Sequence, residues 1–144
     1  MIDLGLFSSL RDYLLEFEFF KRNPLKIITF ASPDLTCPYI KIETIESIWA
    51  GDGGDCYENQ GRTRLQLTAF SNYKGEKEIL KLYKVLAKAL DEARFSYRLE
   101  EEQLLVEVVL KVIKSRVKSS KESILKSLTF DLFAFINIKK EISL

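Results

Sequence analysis

The chain has 144 residues, 47% of them hydrophobic and 30% charged, and its 22 basic and 21 acidic side chains leave a net charge of +1. That size fits one domain over 1–144 that folds without disulfide or metal, and the composition excludes a disordered chain. Histidine is absent, which excludes Ser-His and Cys-His nucleophile pairs and histidine-containing zinc sites.

Acid–base catalysis would therefore need a strongly shifted Asp, Glu or Lys, and no convincing constellation offers one, so no enzyme and no cofactor are expected. No apolar run approaches the roughly 18–20 residues of a membrane span. The opening Met-Ile-Asp-Leu lacks the basic-then-apolar pattern of a secretory signal, so a cytoplasmic protein is expected. Cys37 and Cys56, the only cysteines, are expected to be unpaired. Charge is distributed unevenly. Residues 1–60 hold 5 basic and 10 acidic side chains (−5), and residues 61–144 hold 17 and 11 (+6).

In chain order, residues 4–20 place Leu6, Leu10, Tyr13, Leu14, Phe17 and Phe20 at helical spacing, with Asp3 as a candidate N-cap and Asn23-Pro24 as the stop. Residues 26–30 read as a short strand and 31–37, with Pro33, as a turn. Residues 38–45 alternate Ile40, Ile42 and Thr44 against Tyr39, Lys41 and Glu43, a half-buried strand opened by Pro38. Residues 46–61, rich in glycine and acids with Trp49 at the entrance, read as a long irregular loop. Residues 62–71 alternate again. Residues 75–92 are the clearest helix, with Ile79, Leu82, Tyr83, Leu86 and Leu90 as its buried stripe. The β-branched run over 104–117 and the alternating run over 124–138, joined by a Ser-Ser-Lys-Glu-Ser turn, read as a long C-terminal β-hairpin.

The glycine-rich segment at Gly51–Asp55 fails as a phosphate loop. Its spacing is wrong, Arg62 stands where a lysine is needed, and two aspartates would repel an anion. It also fails as a calcium-binding EF-hand loop. Asp52, Asp55 and Glu58 could hold a loose divalent ion, but a solvated contact loop is the favoured reading. Glu100, Glu101 and Glu102 read as a solvated turn. Lys111, Lys114, Arg116, Lys118 and Lys121 crowd the hairpin tip, the best cue for nucleic acid in the chain. No aromatic interleaves with them to stack on bases, and the plainer reading is a solvated face that blunts a strand edge.

The order of these elements resembles the tail completion (tail terminator, tail-to-head joining) proteins of long-tailed phages and gene transfer agents. The likeness is carried by the Pro38-Tyr39-Ile40 strand and by the junction in which a strand ends at Ser71 and runs through Gly75 and Glu78 into a helix. It implies an α+β fold, an antiparallel β-sheet with two main helices packed on it. It also implies a hexameric ring of copies that caps the tail tube, touches the tail tube protein and a head–tail connector protein, and ends up in the virion tail.

Within such a ring, Asp52, Asp55 and Glu58 of one subunit are expected to face Lys114, Arg116 and Lys118 of the next. A rival placement turns the basic hairpin toward DNA in the lumen. The alternative from a different class is a monomeric adaptor or regulatory domain that binds a cellular protein through Trp49 and the 46–61 loop.

Overall fold

The computed structural model describes residues 2–29, 36–50, 58–119 and 124–140. The elements are helices α1 (Ile2–Leu15) and α2 (Glu18–Arg22), then strands β1 (Lys26–Ile28), β2 (Tyr39–Ala50) and β3 (Glu58–Ser71). Helix α3 (Lys77–Leu90) follows, and β4 (Arg94–Leu99), β5 (Leu104–Ser119) and β6 (Lys126–Lys140) complete the elements among the described residues. The strands form one six-stranded sheet in the order β1-β2-β3-β6-β5-β4. Every neighbouring pair is antiparallel except β1 with β2, which is parallel. The α+β expectation and the C-terminal hairpin hold, with that one parallel pair as the correction.

The core lies between one face of the sheet and the helices. Strand alternation sends Ile40 and Ile42, Leu65, Leu67 and Ala69, Val106, Val108 and Leu110, and every second residue of β6 from Leu128 to Ile138 to this face. Helix α1 covers it with Leu6, Leu10 and Leu14, and α3 with Ile79, Leu82, Leu86, Ala89 and Leu90. The Tyr13 hydroxyl donates to the Ala89 carbonyl at 2.8 Å, tying the two helices together. Tyr83, expected in the buried stripe, stacks on Phe130 yet stays 38% exposed, and Ala89 takes the place in the stripe.

Four boundaries differ from the sequence reading. The first helix breaks at Phe17, whose extended backbone (φ −71°, ψ 138°) starts α2 and turns Phe20 into the core. Asp3 then lies inside α1 and is not its N-cap. Residues 46–50 and 58–61, read as loop, are strand, because ladder pairing with β3 and β6 holds them extended although their apolar pattern is poor. Residues 94–99 form β4, an alternating Arg-Phe-Ser-Tyr-Arg-Leu run that the sequence reading did not assign. The turn expected over 31–37 lies largely outside the described residues.

Two β-bulges explain why the pattern faded. In β2 the register slips between Thr44 and Glu46, and in β5 between Val112 and Lys114. Each bulge adds one residue and reverses the phase of inward and outward positions beyond it.

Candidate assembly surface

All three helices pack on one face of the sheet, so among the described residues the other face is bare of helix. On it the register builds rows that cross four strands. One row runs Glu43, Gln66, Asp131, Lys114, and the next runs Lys41, Thr68, Thr129, Arg116. Asp131 is the centre of the first. It is 1% exposed, it accepts from Gln66 Nε2 at 2.9 Å, and Arg116 Nη1 and Lys114 Nζ lie 3.4 and 3.8 Å from its other oxygen. Burying a carboxylate is costly unless it is paired and hydrogen-bonded, and these donors supply both. Beside it, Thr68 and Thr129 share a hydrogen bond of 3.2 Å.

The bulge at Ile113 puts Lys114, Arg116 and Lys118 on this face together with Asp131. Across the five strands β2 to β6, the described side chains of the face include ten Lys and Arg against four Asp and Glu, a surplus of six positive charges. Phe133 and Phe135 lie in the same field, with the Arg62 guanidinium 5.2 Å from the Phe133 ring centre and Phe135 42% exposed. Aromatics thus do stand among the basic residues, through cross-strand neighbours that linear sequence does not show. Two buried polar atoms on this face, Arg64 Nε and Asn137 Oδ1, lack a hydrogen-bond partner, a condition that is uncommon in folded proteins.

The residues singled out from the sequence fare as follows. Lys114, Arg116 and Lys118 are exposed and close together on β5, and the first two reach a carboxylate of their own chain. Trp49 sits in β2 opposite Gly61, and Glu58 opens β3 opposite Lys139, but their side chains lie outside the described residues. Asp52 and Asp55 also lie outside them. Among the described residues no group of three or more Cys, Asp or Glu is placed to hold a metal ion. No helix among them is long and apolar enough to cross a membrane. The sequence reading missed Asp131 as a hub. Its signal was present, as the one charged residue between Ser127 and Ile138 of β6.

At the far end of the sheet, the Ser71–Gly75–Glu78 junction becomes a compact corner. The buried Ser71 hydroxyl donates to Glu78 Oε1 at 2.6 Å and accepts from the Tyr73 amide at 3.2 Å. Gly75 takes φ +96°, a conformation that side-chain-bearing residues rarely adopt. Cys37 lies near this corner with a free thiol. Burial chiefly, and the Glu78 charge next, raise its pKa, while a hydrogen bond with the Asn72 backbone works the other way.

By sequence, the chain matches no protein-family model and no curated protein. By structure, it is similar to a chain of the virion of a native gene transfer agent (GTA) particle, with a TM-score of 0.61 and 9% identity over 92% of this chain and 94% of that one. At that identity the likeness establishes a shared fold across nearly the whole of both chains.

Proposed function

We propose that this protein is a structural virion-assembly protein that caps a phage-type tail tube and forms the head–tail joining surface as a ring of copies. The observation that carries the reading is the shared fold with a chain of a gene transfer agent virion, which spans almost the full length of each. The Ser71–Gly75–Glu78 junction, picked out in the sequence as a mark of tail terminator proteins, supports it as a stabilised corner between strand and helix. A broad basic face, bare of helix among the described residues and carrying exposed aromatic surface, suits a protein that works by contact. Its partners on this reading are copies of itself, the tail tube protein and a head–tail connector protein. The basic surplus tolerates DNA passing nearby. The protein is in the cytoplasm during assembly and in the virion tail afterwards, and it carries out no catalysis.

The test is the solution mass by size-exclusion chromatography with light scattering over a range of concentrations, followed by binding to polymerised tail tubes. A hexamer, or a monomer that forms a ring on the tube end, is the expected result. A persistent monomer that ignores tail tubes overturns the reading and favours the adaptor.

A further inference from the structure

Both edges of the sheet are half covered. β4 pairs with β5 only between Leu104 and Val109, so residues 111–119 of β5 have β6 on one side and no strand on the other among the described residues. On the opposite edge, β1 pairs with β2 only between Tyr39 and Lys41, which leaves residues 42–50 in the same state. Unpaired N–H and C=O groups along a strand are a template for another strand.

The two stretches match in length, nine residues each (42–50 and 111–119), and are opposite in charge. The first holds Glu43 and Glu46 and no basic residue, and the second holds Lys111, Lys114, Arg116 and Lys118 and no acid. Each also exposes apolar side chains, Ile45 and Ile48 at 46% on one and Ile113 and Val117 at 44% and 48% on the other.

We propose that residues 42–50 of one copy pair antiparallel with residues 111–119 of the next, so that the sheet continues from subunit to subunit. The inference rests on the ring reading above and names its interface. Strand direction allows it, because β2 and β5 run oppositely within the sheet, so copies related by rotation present antiparallel edges. Keeping both faces in phase selects the register. Glu43 then stands opposite Lys118, Thr44 opposite Val117, Glu46 opposite Arg116 and Ile48 opposite Lys114, with the bulge residues Ile45 and Ile113 each taken up as the extra residue. Opposite charges across a strand pair attract, and two acidic or two basic edges repel, so the contact is head-to-tail and closes a ring or extends a filament.

The free stretches lie at diagonal corners of the sheet. Through Arg64 and Phe133, Glu46 is level with Lys111, so bringing the stretches together shifts each copy by about four residues, or ~13 Å at ~3.3 Å per residue. Over six strands ~4.8 Å apart, that stagger tilts the strands by ~25° from the ring axis, in the manner of strands in closed barrels.

The experiment places cysteines at Glu43→Cys and Lys118→Cys in one chain whose native cysteines are changed by Cys37→Ser and Cys56→Ser. Antiparallel partners bring Cα atoms to about 4.5–5.5 Å, within disulfide reach. Within one chain three strand spacings separate the two positions, so a link forms only between copies. Mild oxidation is expected to yield a ladder of covalent multimers, absent for Glu43→Cys alone and for Glu43→Cys paired with Lys88→Cys on α3. An oligomeric mass by light scattering without a ladder overturns the edge pairing and leaves the ring reading standing. A monomer at every concentration up to the solubility limit, with no ladder either free or on polymerised tail tubes, overturns the edge pairing together with self-assembly.

Discussion

The Ser71 hydroxyl lies 2.6 Å from a carboxylate oxygen of Glu78, seven residues further on, and this contact turns the end of β3 into the start of α3. Helix α3 has no side-chain hydrogen bond at its N-cap Glu76. The corner is instead held by Ser71, which serves Glu78 and the Tyr73 amide at once. Glu78 also sits in the first turn of α3, where a negative charge is favoured. Ser71→Ala is expected to lower stability by about 1.5–3 kcal/mol, the range for a hydrogen bond to a charged group. Urea unfolding measures it, and Ser71→Thr should recover part of the loss if the hydroxyl is what matters.

Gly75 gives a prediction of a different kind. A Cβ added there meets nothing within 4 Å, so crowding is no obstacle, but φ is +96°. Gly75→Ala is therefore expected to cost about 1–2 kcal/mol through backbone strain alone. Thermal unfolding should show a fall of several degrees, with the spectrum of the folded state unchanged.

Asp131 is expected to matter more than the cations that reach it. It is buried, whereas the Lys114 and Arg116 side chains are 60% and 46% exposed and can return to water. Asp131→Ala should destabilise by about 1–3 kcal/mol, because the Gln66 amide loses its acceptor. Lys114→Ala should stay within about 0.5 kcal/mol, as exposed ion pairs contribute little. Equal losses for the two variants in urea unfolding would contradict this division.

The Cys37 thiol should resist alkylation. Its raised pKa leaves less thiolate at a given pH than an ordinary cysteine has, and thiolate is the reactive form. The rate of iodoacetamide labelling in a Cys56→Ser variant should therefore begin to climb only at higher pH than for a free peptide thiol. Glu78→Gln removes the charge that helps raise the pKa, so labelling should quicken at fixed pH, while a rate that does not change assigns the shift to burial alone. The linkage has a sign. A thiol whose pKa is raised on folding contributes stability below its unfolded pKa, and that contribution is lost as pH rises through the folded value.

The sequence by itself determined the elements whose apolar period is uninterrupted. The stripe of α3 and the alternation of residues 62–71 and of β6 could be read directly, because burial on one face imposes a period of 3.6 or 2 on side chains, while β5 was legible through its β-branched residues and the neighbouring strand that needs a partner. The Ser71, Gly75 and Glu78 spacing was also legible, since a turn and a helix start act over few residues. Only the tertiary structure decided the rest. Bulges at Ile45 and Ile113 reverse the phase of β2 and β5, so the extent of β2 could not be read from alternation alone. Asp131 meets Gln66 from 65 residues away, and Phe133 meets Arg62, through cross-strand register. Which stretches of β2 and β5 remain unpaired depends on how far β1 and β4 extend beside them, and that is set by long-range pairing between strands, which leaves no period in the chain.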